Sequence, residues 1–523
     1  MLEIGLFHNG ASSLPIATTN DGVTFNDGSL PEVHRTAQET LVNQVRQGIL
    51  AEKLGFQSFW LTEHHFQPEG AEMSPNPLMV QMAVAAHTKR IRLGQAANII
   101  VWHHPVRLAE QIATLDVISG GRVECGIGRG YQPRENETLG RPYGSTIQDQ
   151  ERNRKAFEES IAIMKKCWTE ASFSHHGEFF SVPPTYTKWN HKQTIAYFQD
   201  DKAGRRLEDV LALGDPDMYS AGNPVQATTT TLKELQVFPQ PVQKPHPQLW
   251  EPLTSGRSLK FAAEHGINGV MIAEPNDRLR RNLEIYHEAA EKAGFPDMRN
   301  RGRFKFGWDA EKRRGIMTSR YLHITRPGKE KEALERAARA LELQFDYYGP
   351  FGFGAVVARL DEPMFDLNKK VTAQMLRERG IAIHGPKQYV IDNIMKMRTE
   401  CGYDDFCFLG WFELGGFAAQ ETEEQMQIFA EEVMPVIARE CGGKVELPAS
   451  GLDLVPNGGN RRIFLLATHP SGDRLTEPTA ATQAWRRELV FLPLNRPWRV
   501  RSDTFEGRAS NDVGSSPISR MDT

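Results

Sequence analysis

Ser58-Phe59-Trp60-Leu61-Thr62-Glu63-His64-His65-Phe66 joins a short apolar run directly to a carboxylate and two imidazoles. Four residues of strand character with no amphipathic alternation read as a β-strand buried on both faces, the kind found in parallel sheets. A helix-like segment from Gln38 to Leu54 precedes it and another, Pro77 to Ala86, follows it. This is a β-α-β-α succession. Working outward, Ile4 to Phe7 reads as an earlier strand, Ile91 to Gly94 as a later one, Val106 to Ile118 as a helix and Val123 to Ile127 as a fourth strand. Further strands are expected at Gln248–Leu253, Gly269–Ile272, Tyr321–Thr325 and Asp405–Leu409, each followed by a helical stretch. Eight strand-helix units predict an α/β fold of the (β/α)8 TIM-barrel type, although a doubly wound open sheet shows the same alternation.

Two stretches break the alternation. The first, residues 180–240, contains Trp189, Tyr197, Phe198 and a Thr228–Thr231 run and is read as a long insertion before strand five, placed to act as a lid. The second spans Asp346 to Asp366. From residue 446 to 523 the chain turns rich in Pro, Gly, Ser and Arg, with one apolar cluster at Leu489–Leu494, and is expected to be a partly disordered C-terminal tail. The expected division is a barrel over 1–445 and a tail over 446–523.

Composition bounds the function. The 523 residues are 40% hydrophobic and 24% charged, with a formal net charge of -4, as in ordinary globular proteins. Basic pairs such as Arg205-Arg206 and Arg313-Arg314 make no clustered stripe, so no nucleic-acid partner is expected. No apolar run reaches the roughly 20 residues needed to cross a bilayer, and no basic segment precedes Leu2–Phe7, so neither a membrane span nor export is expected. Five scattered cysteines without a Cys-x-x-Cys pair fit a reducing cytoplasm. The pairs His64-His65, His103-His104 and His175-His176 lack the i, i+4 spacing of helical zinc sites, and no metal is expected.

In a barrel, chemistry gathers on the loops after the strands. After strand two, His64 can exchange protons near neutral pH with Glu63 beside it, the alternative being loop histidines in structural hydrogen bonds. Gly126-Ile127-Gly128-Arg129-Gly130-Tyr131, after strand four, allows close backbone approach and offers Arg129 to a phosphate. It lacks the third glycine and helix of a dinucleotide fingerprint, and a tight turn is an equal alternative. After strand five, Thr254-Ser255-Gly256-Arg257-Ser258 opens a helix, whose free N–H groups favour an anion, with plain N-capping as the alternative. Barrel closure would bring these two loops together.

These pieces, in this order, resemble the bacterial luciferase-like flavin-dependent monooxygenases across roughly residues 1–440. The resemblance is carried by Glu63–Phe66; by His104–Gln111 with Leu115-Asp116 and Ser119–Arg122; by Gly126–Tyr131, Lys244–Pro247 and Ser255–Ser258; and by Gly385-Pro386, Cys401–Asp404 and Phe429–Pro435. It implies an oxidoreductase that receives reduced FMN (FMNH2) from a separate NAD(P)H:flavin reductase and oxygenates a small organic substrate with O2 through a flavin peroxide. It also implies a homodimer or higher homo-oligomer. By the same resemblance His64 is the catalytic proton-transfer residue supported by Glu63. Arg129, Thr254, Ser255 and Ser258 hold the FMN phosphate, and Ala97 and Asn98 lie near the isoalloxazine ring. An F420-dependent oxidoreductase on the same barrel and a non-catalytic flavin-binding protein are the alternatives. Gly128 stands where some luciferases carry a cysteine, and the tail has no counterpart in typical members.

Overall fold

The structure is a computed structural model that describes residues 2–189, 214–216, 230–294, 316–362, 370–402 and 406–441. Tyr197 and Phe198 of the insertion, Thr228 and Thr229 of the threonine run, Tyr403–Asp405, the end of the 346–366 excursion and the whole 446–523 tail lie outside the described residues.

Eight parallel strands close into a barrel: β1 (Leu2–His8), β2 (Ser58–Leu61), β3 (Arg92–Gln95), β4 (Val123–Gly128), β5 (Gln248–Pro252), β6 (Asn268–Ile272), β7 (Ile316–Thr325) and β8 (Phe406–Trp411). Each pairs with the next in sequence, and β8 pairs with β1. This is a (β/α)8 barrel, and the open-sheet alternative is excluded by the β4–β5 pairing, with Gln248 opposite Glu124 and Trp250 opposite Gly126. On the other side of β4, its close approach to β3 requires glycine, because a Cβ at Gly126 would stand 1.6 Å from the Gln95 carbonyl oxygen.

Helices cover the barrel where the sequence carries start and stop signals. Helix α1 (Leu30–Leu54) opens with Glu32 accepting from the Ser29 N–H and ends at Gly55, whose φ of 88° is left-handed. After α2 (Pro77–His87), α3 (Pro105–Ser119) starts on a proline and stops at left-handed Gly120. Leu108, Ala109, Ile112, Ala113 and Leu115 of α3 are all buried, the stripe that a helix lays against a sheet. The ring continues with α4 (Gln150–Thr169), α5 (Gly256–Glu264), α6 (Asn276–Lys292), α7 (Lys387–Cys401) and α8 (Ala419–Ile428). Inside the barrel, Arg92 pairs with Glu124, whose other oxygen accepts from the Trp250 indole at 2.6 Å. A buried charge is thereby paired and hydrogen-bonded. Among the described residues no helix is long and apolar enough to cross a membrane.

Both departures from the alternation are present among the described residues. The described flanks of the 180–240 insertion follow α4, which runs back toward the N-terminal ends of the strands. Phe173 and Leu235 bridge each other there, and Gln240 donates to the Glu170 carbonyl. The second departure is larger than expected. Residues 326–381 lie between β7 and α7, with their own helix over Glu330–Tyr348, and a short strand, Ala382–Pro386, pairs with the C-terminal half of β7. This segment reaches the mouth of the barrel with Tyr348, Phe351 and Phe353, and the described flank of the first packs on the neighbouring rim, Phe180 against His104 and Tyr143.

Candidate active site

The loops after β1 to β8 surround a cavity of about 520 Å³ at the C-terminal ends of the strands. Of the residues singled out in the sequence, Glu63, His64, Ala97, Arg129, Thr254 and Ser258 line it. Asn98 and Ser255 do not.

One end is built to receive an anion. Because β4 and β5 are neighbours, Arg129 emerges beside Thr254 and the start of α5. Ser255 caps that helix: its Oγ accepts from the Ser258 N–H and its own N–H donates to Ser258 Oγ, each at 3.2 Å. Thr254 and Ser258 therefore face the cavity while Ser255 secures the turn, so the capping and binding readings of this loop fall on different residues. Arg257 turns away to exposed Glu151. Burial holds Arg129 below its ordinary pKa, and Arg154 pushes the same way. Arg154 is itself buried, and its Nε has no hydrogen-bond partner. Glu251 faces both arginines, and burial pushes its carboxyl up to about 8, the two guanidinium groups opposing this. Two partly desolvated cations, two hydroxyls and a helix start form a donor set suited to a phosphate ester.

The other end manages protons. Burial opposes ionisation of Glu63, but His103 at 2.7 Å, His65 at 3.4 Å and the Ile99 N–H at 2.6 Å outweigh it and hold the carboxyl down at about 2. Glu63 thus bonds His103 and His65, and acts on His64 through its charge. His64 lies instead between two other buried carboxylates, with Nε2 3.3 Å from Glu72 and Nδ1 3.5 Å from Glu135. Burial works against the imidazolium, and the charge of Glu72 with that of Glu135 overrides it, so His64 is raised above the ordinary histidine range. Glu72 is a hub: it also accepts from Tyr131 and Gln132 at 2.6 Å and from Asn9 and Tyr347 at 3.1 Å.

Between these ends the wall is close and flat. The Ala96-Ala97 peptide is cis, and a Cβ built on Gly128 would meet the Ala97 Cβ at 3.2 Å. Asn98 is buried below the wall, donating to Gln95 and to the Gly126 carbonyl, both at 3.0 Å. It shapes the loop rather than the surface.

Several cavity residues escaped the sequence reading. Glu72 sits in a polar loop whose only signal is its place after β2. Tyr131 closes the glycine motif but was passed over for Arg129. Tyr347 and Tyr348 end the helix of the 326–381 insertion, and Asn9 donates to Tyr348 Oη at 2.6 Å across a separation of hundreds of residues. Only folding brings such groups together.

Comparison with known proteins follows from this geometry. Residues 24–196 match the family described as luciferase-like monooxygenase. The oxygenase component of the flavin-dependent trigonelline monooxygenase of Acinetobacter baylyi is 22% identical over 74% of this chain and 88% of its own. The 3,6-diketocamphane 1,6-monooxygenase of Pseudomonas putida is 26% identical over 51% of this chain and 62% of its own. An uncharacterised protein of Sinorhizobium fredii is 33% identical over 29% of this chain, and the match spans 41% of that relative. Among solved structures, a monooxygenase of Streptomyces bottropensis superimposes with a TM-score of 0.56 at 20% identity, covering 84% of this chain and 100% of its own. The oxygenating constituent of the Pseudomonas putida 3,6-diketocamphane monooxygenase, in complex with FMN, also gives 0.56, at 18% identity over 83% of this chain and 99% of its own. At those identities the structural likeness establishes the fold.

Proposed function

We propose that the chain is a luciferase-like monooxygenase and the oxygenase component of a two-component system, taking FMNH2 from a separate NAD(P)H:flavin reductase and oxygenating a small organic substrate with O2. The observation that carries this reading is the single cavity that joins an anion end at Arg129, Thr254 and Ser258 to a proton-handling end at His64. The relative named as an oxygenase component supports the need for a separate reductase.

The donor set fits FMN. Arg129, Thr254 and Ser258 would hold its phosphate, with Arg154 adding charge and Glu251, largely uncharged at neutral pH, donating rather than repelling. The Ala96-Ala97 wall would take the face of the ring system. Reduced FMN, when bound, provides the electrons that activate O2 for transfer of an oxygen atom. The chain's part is to bind, dry and protonate. Buried Phe7, Tyr321 and Trp411 exclude water from the barrel side. His64, whose hold on a proton Glu72 and Glu135 strengthen against burial, stands at the cavity wall as a proton donor. The barrel to residue 445 would act as the catalytic unit, with 446–523 as an appendage.

Anaerobic titration of the full chain with photoreduced FMN tests the reading, followed by O2 uptake with NADH, FMN and a general flavin reductase. Saturable FMNH2 binding and chain-dependent O2 consumption are expected. Absence of FMN binding in either redox state, or binding of F420 alone, would overturn it.

A further inference from the structure

The cavity has a third region beside the phosphate end and the proton network. It is walled by rings from the 326–381 insertion and from the strand ends. Tyr131 meets Phe353 edge to face at 4.8 Å and Phe351 at 5.6 Å, Tyr348 lies 5.3 Å from Phe353, and Tyr321 stacks on Trp411 at 4.3 Å. Such a set of fixed rings favours planar aromatic ligands, which can add both stacked and edge contacts.

One charge faces this region. Arg278, in the first turn of α6, lines the cavity. Its Nη1 donates to the Ala355 carbonyl at 2.7 Å and the Ala358 carbonyl at 3.5 Å, which anchors it to the insertion. A guanidinium has five N–H donors, so with two of them engaged by those carbonyls three are left for another acceptor. The acids nearest to it in sequence are engaged elsewhere. Asp277 accepts from the Arg278 and Leu360 N–H groups, and Glu274 accepts from Asn282 at 2.7 Å. Burial pushes Glu274 up to about 7, so it balances Arg278 incompletely. The other carboxylates on the wall are Glu63 and Glu72, saturated by histidine, amide and phenol donors, and Glu251, which faces Arg129 and Arg154 at the anion end. The tyrosines cannot compensate, since burial keeps Tyr131, Tyr321 and Tyr348 protonated. Nor does Arg278 belong to the anion end, where the charges acting on Arg129 are those of Arg154, Glu251, Arg257 and Glu151.

We propose that Arg278 is the anion receptor of a separate substrate region, and that the substrate is a planar aromatic or heteroaromatic carboxylate held between the insertion's rings with its carboxylate on Arg278. This rests on the oxygenase reading above and adds the substrate class to it. A bidentate guanidinium-carboxylate pair orients the ring as well as binding it, so the position oxidised is set by the fold.

The test is calorimetric titration of the full chain with benzoate, 2-naphthoate and indole-3-carboxylate, each against its amide, with octanoate as a non-aromatic acid. FMN binding is measured separately by fluorescence. At least one aromatic acid is expected to bind about tenfold or more tighter than both its amide and octanoate. Arg278→Gln should erase that preference and leave FMN binding unchanged, and Arg278→Lys should restore part of it. Because Arg278 also anchors the insertion, melting curves of both variants accompany the titrations. Equal binding of acids and amides, or of octanoate and the arenes, overturns the proposal while leaving FMN binding and the oxygenase reading intact. If Arg278→Gln weakens FMN as much as Arg129→Gln does, Arg278 belongs to the cofactor's site and the proposal also fails. If FMN fails to bind, the oxygenase reading falls, and the acid preference is still decided on the chain itself.

Discussion

Glu63 shows how a single residue acquires a role from its partners. Its carboxyl falls from 4.5 to about 2 in the folded chain, so its pairing stabilises the fold fully above pH 4.5 and is lost as pH drops toward 2. That difference is on the order of 3 kcal/mol. His103 reports the same pair from the other side: raised above 6.5, against the opposing effect of burial, it contributes below that pH and loses its contribution as pH rises through the folded value. Urea denaturation followed from pH 5 to pH 2 should show a stability loss in the wild type that Glu63→Gln lacks. His64 gives a catalytic counterpart. Its raised value, set by Glu72 and Glu135 against burial, predicts that turnover falls as pH climbs through it. Glu72→Gln should shift that limb to lower pH, seen in the kcat/KM profile. At the anion end, Arg129→Gln should weaken FMN binding about tenfold or more, read by fluorescence titration.

At the level of elements, the start of α5 divides two functions that coincide in sequence. Ser255 is the cap and Ser258 reaches the cavity. Ser255→Ala should therefore cost about 1 kcal/mol in chemical denaturation with little change in FMN affinity. Ser258→Ala should lower affinity, because it removes a hydroxyl at the cavity wall. The insertion helix Glu330–Tyr348 belongs to the same scale. It ends at the mouth, where Tyr347 and Tyr348 bond to Glu72, Gln67 and Asn9. Among the described residues, the segment after β7 thus forms part of the cavity wall.

For the whole molecule, the decisive strand is β4, which pairs with β5 on one side and lies against β3 on the other. Gly126→Ala would put a methyl group against the Gln95 backbone, which cannot yield as a side chain could. Loss of soluble protein or a melting temperature lower by many degrees is expected. Removal of residues 446–523 should have the opposite result. All eight strands and the closing pairs are complete by Trp411, so the truncated chain should keep its melting temperature and FMN binding.

The barrel was legible from residue order because buried parallel strands and amphipathic helices are local patterns: Ser58–Leu61 and the α3 stripe announce themselves within a few residues. The glycine motif and the helix-start hydroxyls were legible for the same reason, since backbone approach and capping are local demands. The partners of Glu63 and His64 were not. Adjacent side chains on an extended strand end point in different directions, so Glu63 met His103 and His64 met Glu72 and Glu135 only once the loops after β2, β3 and β4 had converged. The part of residues 326–381 in the cavity wall was equally hidden, because Tyr348, Phe351 and Phe353 meet the loops after β1 and β4 only in the folded chain. Periodicity records what each segment prefers. Which segments share a cavity depends on barrel closure, which sums pairings distant in sequence, and that sum belongs to the tertiary structure alone.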